Sequence, residues 1–256
     1  MKIVMVGPVY PYKGGIAHYM GMMCKTFAKK HEVIALSYKM QYPKFMYKKE
    51  QKDYESDTFK VDGTNYCINT ANPFNWVHVA KKINKLSPDL VVFQWWHPYF
   101  APCYQIICSL LKTKEILFVC HNVFPHERFP MDRLLTQATL KKGKYYIVHS
   151  KLDEVDLLSV KKDARYKKAV IPTYNVFNKS QLEKDDARKI LNVAQNEFVL
   201  LFFGLIREYK GLKYLLKALS IIKNKIPNVK LYIVGDFGGE KDHYLKIIKD
   251  LNIENY

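Results

Sequence analysis

The sequence predicts an α/β fold built on mostly parallel sheet, with helices on both faces. Two patterns predict it. Short apolar runs alternate along the chain with segments whose apolar residues recur at helical spacing, and that alternation requires crossover connections. Several of the apolar runs also end in glycine-containing loops that open into a helix, as at 7–15, 204–211 and 235–239. This strand-loop-helix grammar places loops at the carboxyl ends of strands, where open α/β sheets bind ligands.

The elements follow in order. Residues 2–6 form an apolar strand, and the loop 7–15 feeds a helix over 16–29 whose buried face carries Ile16, Tyr19, Met20, Met23 and Phe27. Residues 32–37 are a second strand, followed by a basic, irregular segment to about 57. Short strands are expected at 58–61 and 65–69, then a helix after Pro73. Residues 90–94 read as a buried strand, and 116–120, 145–149 and 168–171 as three more. From Pro172 to Ser180 the pattern breaks into Pro, Thr, Asn and Ser, which marks a linker. Beyond it the alternation resumes: helix 184–191, strand 197–203, helix 210–224, strand 229–234, helix 240–250. Two domains are therefore expected, 1–175 and 176–256. The second has too few elements for a whole doubly wound domain, so the chain reads as the first part of a longer protein.

The 256 residues are 48% apolar, enough for buried cores, and carry a formal charge of +17. Residues 1–175 hold 27 Lys/Arg against 14 Asp/Glu, and 176–256 hold 14 against 10. The basic first part suggests an anionic partner, with a merely lysine-rich solvated surface as the alternative. The five cysteines show no metal-binding spacing, and with no leader sequence the expectation is a reduced cytoplasmic protein. No apolar run approaches the roughly 20 residues needed to span a bilayer. The segment from Lys39 to Lys49 interleaves cations with Tyr42, Phe45, Met46 and Tyr47, which suits an anionic membrane surface or an ordinary loop packed over the sheet. Helix-turn-helix, zinc and RNP patterns are absent, so no nucleic-acid partner is expected.

Five segments carry candidate chemistry. In GPVYPYKGGIAHY, Gly14-Gly15 open a helix, where backbone amides and the helix dipole favour a phosphate. The dinucleotide fingerprint GxGxxG is absent there. In FVCHNVFPHERF, a buried strand delivers His121 to its carboxyl end, and Glu127 and Arg128 follow on the loop. In YYIVHSKLDEVDLL, Ser150 reads as a helix N-cap with Asp153 in a capping-box arrangement, not as a nucleophile. In FFGLIREYKGLKYLLKA, an apolar strand ends at Gly204, and a turn bearing Arg207 and Lys210 leads through Gly211 into an amphipathic helix. In LYIVGDFGGE, a strand ends in Gly235-Asp236 before another helix. Trp95, Trp96, His97, Pro98 and Tyr99 follow the strand 90–94, either to contact a ligand or to fill the core.

In that order these segments resemble the GT-B glycosyltransferases, in particular the family 4 (group 1) retaining enzymes. The resemblance covers nearly the whole chain. It implies two Rossmann-like domains, an acceptor-side domain first and a nucleotide-sugar domain second. It implies transfer of a hexose-type sugar from a nucleotide-diphosphate sugar to a glycan or lipid-linked acceptor, in cell-surface polysaccharide synthesis at the inner face of the membrane. His121, Lys210 and Arg207 are the implied catalytic groups. Gly14, Gly15, Gly204, Gly235 and Asp236 are the implied donor-binding positions, with backbone amides and cations facing a shared diphosphate. No metal and no further cofactor are implied. The family's arginine normally follows the strand-ending glycine directly, and here that position is Leu205, two residues before Arg207. The family also carries two glutamates seven residues apart further along its second domain, and no such pair occurs in a suitable place before Tyr256. The alternatives from the same features are a nucleotide-sugar epimerase of the same architecture and a non-catalytic module that binds nucleotide sugar or an anionic membrane.

Overall fold

The structure is a computed structural model that describes residues 1–47, 50–55, 57–174, 182–237 and 239–256. The chain divides into two compact units, Met1–Val176 and Phe177–Tyr256.

The first unit is a seven-stranded sheet in which every pairing is parallel. In chain order it comprises β1 Lys2–Val6, α1 Gly15–Ala28, β2 Glu32–Met40, β3 Asn65–Asn69, α2 Pro73–Leu86 and β4 Leu90–Trp95. A 3-10 turn at Pro98–Phe100 leads into α3 Ala101–Leu110, β5 Ile116–Cys120, α4 Asp132–Leu140, β6 Tyr145–Val148, α5 Lys151–Val160 and β7 Arg165–Lys168. The strand order is β3-β2-β1-β4-β5-β6-β7. The winding direction therefore reverses between β1 and β4, and the crevice beyond their carboxyl ends is the natural ligand position.

Alternation along β1 sends Ile3 and Met5 to one face and Val4 and Val6 to the other. Ile3 and Met5 pack with Tyr19, Met20 and Cys24 of α1. Val4 and Val6 join the larger core with Val79, Ala80 and Ile83 of α2 and Ala101, Tyr104 and Ile107 of α3. Burial on both faces is why the central strands read as unbroken apolar runs.

The second unit comprises α6 Lys184–Ile190, β8 Phe198–Phe203, a 3-10 turn at Glu208–Lys210, α7 Leu212–Ile222, β9 Val229–Val234 and α8 Lys241–Asp250. β8 and β9 pair in parallel. Leu212, Leu216 and Leu219 of α7 and Tyr244 of α8 pack on the face that Leu200, Phe202, Leu231 and Ile233 present.

Four expectations from sequence need correction. Residues 58–61 form no strand: Phe59 is buried against α1, its backbone lying where a side chain on Gly21 would collide. The last strand of the first unit is Arg165–Lys168, beginning three residues before the apolar run 168–171. Val170 in that run is instead exposed, because an edge strand is built from charged residues and the apolar run lies past it. The helices α3 and α4 have no counterpart in the sequence reading. The helix expected from residue 210 starts at Leu212, because Gly211 adopts a left-handed φ of 79° and separates it from the preceding turn.

Among the described residues, no helix is long and apolar enough to cross a membrane. Nor does any cluster of three His, Cys, Asp or Glu side chains there have metal-binding geometry.

Candidate functional site

The loop from Gly7 to Gly14 sits at the switch point of the first unit. Gly7 lies against Gln94 of β4, where an added Cβ would come within 2.6 Å of that side chain, so only glycine lets the loop leave β1 here. The Tyr12 hydroxyl donates to the Tyr38 carbonyl at 3.0 Å and ties the loop over the sheet. Gly14 takes a φ of 103° at the N-terminus of α1, and among the described residues no atom lies within 4 Å of where its Cβ or that of Gly15 would be. Gly14 serves backbone conformation, and both glycines leave open space above the helix start. Pro8, Lys13, Gly14, Gly15, Gln41, Tyr42, Tyr47, Gln51 and Trp96 line a pocket of about 180 Å³ there. The Gln51 amide clamps Tyr42, donating to its carbonyl at 3.0 Å and accepting from its N–H at 3.1 Å.

His121 stands immediately after β5. Its Nε2 lies 2.8 Å from Oε1 of Gln94. An amide oxygen only accepts, so Nε2 carries the proton and the ring is held in one tautomer. The His121 ring meets Tyr19 edge-on at 5.1 Å and lies 5.6 Å from the His149 ring. Burial, reinforced by His149, lowers its pKa from 6.5 to about 3. The imidazole is therefore neutral at physiological pH and acts by hydrogen bonding, not as a cation. His149 faces the same cluster; its Nδ1 lies 2.8 Å from the Ala169 carbonyl, and its Nε2 is buried with no partner among the described residues. The amide nitrogen of Gln94 is likewise buried and unpaired there, in a fully buried side chain. Sequence reasoning missed the roles of Gln94 and His149. The available signal for Gln94 was one amide inside the otherwise apolar strand LVVFQW.

His121, His126, Arg128, His149, Ser150 and Asp153 line a second pocket, of about 580 Å³, at the carboxyl ends of β5 and β6. Ser150 is the N-cap of α5, as expected: its hydroxyl accepts from Asp153 N at 3.0 Å and donates to the Asp153 carboxylate at 2.6 Å. Arg128 is ion-paired with Asp132 and stacked over Phe124, 4.2 Å from its ring, so it braces α4.

The aromatic run from Trp95 to Tyr99 divides between core and surface. Trp95 is fully buried and donates to the Val123 carbonyl at 3.1 Å. Trp96 lines the switch-point pocket, and His97, Pro98 and Tyr99 line an apolar groove beside it. In the segment 39–49, the N–H groups of Met46 and Tyr47 both bond the Pro43 carbonyl, so a turn replaces any regular helix. Lys48 and Lys49 lie outside the described residues.

In the second unit, Gly204 and Gly235 end β8 and β9 side by side. Gly204 N–H donates to the Val234 carbonyl at 2.9 Å, and a Cβ on Gly235 would fall 1.8 Å from the Gly204 carbonyl oxygen. Ile206 N–H donates to the Asp236 carbonyl at 2.9 Å, which locks the two loops together. Arg207 is half-buried, Lys210 is exposed with its ammonium 5.3 Å from the Tyr209 ring, and Leu205 points to solvent. Gly204, Arg207, Lys210, Gly235 and Asp236 are thus all carried on loops at the carboxyl ends of two adjacent parallel strands.

Residues 183–256 match the family model described as glycosyl transferases group 1. Over those residues the second unit is similar to the glycosyl transferases of group 1. An uncharacterized glycosyltransferase of Methanocaldococcus jannaschii is 28% identical over 194 residues, which is 69% of this chain and 46% of that protein. The lipopolysaccharide 1,2-N-acetylglucosaminetransferase of Salmonella typhimurium is 38% identical over 71 residues, 26% of this chain and 19% of that enzyme. The chain spans less than half the length of either relative. The crystal structure of HepE from Anabaena in complex with UDP-glucose covers all of this chain with a TM-score of 0.73 at 16% identity, and 67% of HepE is matched. At that identity the likeness shows the fold: this is the GT-B type, made of Rossmann-like units with parallel sheets.

Proposed function

We propose that the chain serves sugar transfer from a nucleotide-diphosphate sugar to a hydroxyl of a glycan or lipid-linked acceptor. The transfer retains anomeric configuration and belongs to cell-surface polysaccharide synthesis at the inner face of the membrane. In this reading residues 1–175 receive the acceptor and 176–256 the donor. The observation that carries it is the family match over 183–256, which contains Gly204, Arg207, Lys210, Gly235 and Asp236 on adjacent strand-end loops. The likeness to a protein crystallised with UDP-glucose supports a UDP-sugar as the first donor to test.

The chemistry asks little covalent work of the protein. The bond between the anomeric carbon and the diphosphate oxygen breaks as the acceptor oxygen bonds to that carbon on the same face, and the acceptor's proton passes to the departing phosphate oxygen. Charge grows on the diphosphate, so fixed cations and amides aimed at it lower the barrier. Lys210 and Arg207, both on strand-end loops of the second unit, are the cations assigned here. Neutral His121 has its Nε2–H committed to Gln94, which leaves Nδ1 to accept from a sugar hydroxyl without adding positive charge. Gly235 and Asp236 border the nucleotide.

Calorimetric titration of UDP- and GDP-sugars against the chain, followed by a transfer assay with glycan and lipid-linked acceptors, tests the reading. Saturable donor binding with acceptor-dependent release of nucleoside diphosphate is the expected result. Epimerised sugar nucleotide formed without acceptor selects the epimerase, and donor binding without turnover under any acceptor selects the binding module.

A further inference from the structure

We propose that the first unit binds one amphiphilic lipid molecule, its hydrocarbon chain in the apolar groove beside Tyr42 and Tyr99 and its anionic head in the pocket over Gly14 and Gly15. This rests on the transfer reading and names the acceptor class: a lipid-linked one, bound as a single molecule.

The groove has a volume of about 570 Å³ and is lined by Pro43, Met46, Trp76, Pro98, Tyr99 and Phe129, among others. Its few polar groups are already occupied. The Thr70 hydroxyl donates to the Gln41 carbonyl at 2.7 Å and shares a 2.8 Å hydrogen bond with the Tyr99 hydroxyl, and His97 Nδ1 accepts from Tyr99 N–H at 3.1 Å. Water in the groove therefore finds few unpaired partners, and displacing it with hydrocarbon is favourable. Phe45 is 80% exposed and Met46 52% exposed at the groove's edge, an arrangement that leaves apolar surface uncovered in the free protein.

The groove and the switch-point pocket are neighbours. Tyr42 and Tyr47 line the pocket, whereas Pro43, Phe45 and Met46 line the groove, so one short segment walls both. The Tyr42 ring is 5.0 Å from that of Tyr99 in the groove, and its hydroxyl accepts from Trp96 Nε1 in the pocket at 3.2 Å. The pocket supplies what the groove lacks: the Lys13 ammonium and the side-chain amides of Gln41 and Gln51. Among the described residues, Lys13 is the one ionised side chain lining either cavity, and no carboxylate lines them. Lys44 stands exposed between two groove residues, and the surplus of Lys/Arg over Asp/Glu is concentrated in residues 1–175. Charge and polarity together fit an anionic head group joined to a hydrocarbon chain. A recess of this size suits a single chain, since a flat bilayer surface would leave it unfilled.

The test uses butyl, octyl and dodecyl phosphate, each below its micelle concentration, and inorganic phosphate as the chainless control. Trp76 in the groove and Trp96 in the pocket supply a fluorescence signal. Affinity is expected to rise roughly fourfold per added methylene until the groove is filled, the equivalent of about 0.8 kcal/mol each. Ala71→Glu and Pro102→Asp each place a carboxylate on the groove wall at an exposed position and are expected to weaken dodecyl phosphate at least tenfold relative to butyl phosphate. Circular dichroism and the unfolding midpoint establish that each variant is folded. Equal affinity for butyl and dodecyl phosphate overturns the proposal, as does an unchanged chain-length dependence in both variants. Binding to anionic phosphatidylglycerol vesicles with none to monomeric alkyl phosphate also overturns it, in favour of a membrane-docking face. Parallel titration with UDP-glucose separates the two readings: lost donor binding with intact chain-length dependence defeats the transfer reading alone, and the converse defeats the groove alone.

Discussion

The half-buried imidazole of His121, largely shielded from water, makes a quantitative demand on stability. As pH falls below about 6.5 the unfolded chain takes up a proton at this ring, whereas the folded chain resists until about 3. The unfolded state binds more protons throughout that window, so stability is full above the unfolded pKa and is lost as pH falls toward the folded one. Between pH 7 and pH 5 this one group costs about 2 kcal/mol. All three tryptophans, Trp76, Trp95 and Trp96, lie in the first unit, so tryptophan fluorescence follows the unfolding of that unit alone. Urea titrations at pH 5, 6 and 7 on the wild type and on His121→Gln isolate the contribution, because the other titrating groups are common to both chains. The variant is expected to be less stable at pH 7, where the hydrogen bond to Gln94 is altered, yet to lose about 2 kcal/mol less on acidification. Identical pH dependence in the two chains, or a His121 ring signal titrating near its ordinary value in NMR, would refute the argument. Either result would mean that this ring is open to water, and the assignment of a neutral hydrogen-bonding role would fall with it.

Three further outcomes follow from other parts of the molecule. Lys210→Ala removes the cation assigned to the departing diphosphate and is expected to lower kcat/KM by about 10²–10³ in the transfer assay; a change within a few-fold removes Lys210 from the mechanism. Gly235→Ala forces a methyl group against the Gly204 carbonyl, so the second unit should lose about 1–3 kcal/mol, read by hydrogen exchange at the β8 and β9 amides. Ser150→Ala deletes the cap of α5 and is expected to cost about 1 kcal/mol in tryptophan-monitored urea unfolding, with no effect on donor titration.

Much of the fold is legible in the sequence because burial leaves a periodic trace. β1, β5 and β9 are apolar runs, and their limits in the structure are those the sequence predicts. Edge strands leave no such trace. β7 is RYKK, a charged strip suited to an exposed edge, and the apolar run beside it is the stronger signal. α3 is obscured by apolar residues on nearly all sides, which carry no helical stripe. Phe59 resembles a strand residue because its burial against α1 looks the same in sequence as burial in a sheet. The strand-end loops bearing His121, Gly14, Gly15, Arg207 and Lys210 are visible from local grammar. Gln94 and His149 are not, because Gln94 bonds a histidine 27 positions away and His149 acts through ring contacts that no local spacing encodes.

The sequence alone determined the alternation of strand and helix, the glycines that end strands, the cap at Ser150 and the excess of positive charge in residues 1–175, because each depends on residues close together in the chain. Tertiary structure decided the order of the strands, the neutral state of His121 and the separation of Trp95 into the core from Trp96 at a pocket. Those properties are set by which distant side chains exclude water from one another, and exclusion of water is a property of the packed molecule.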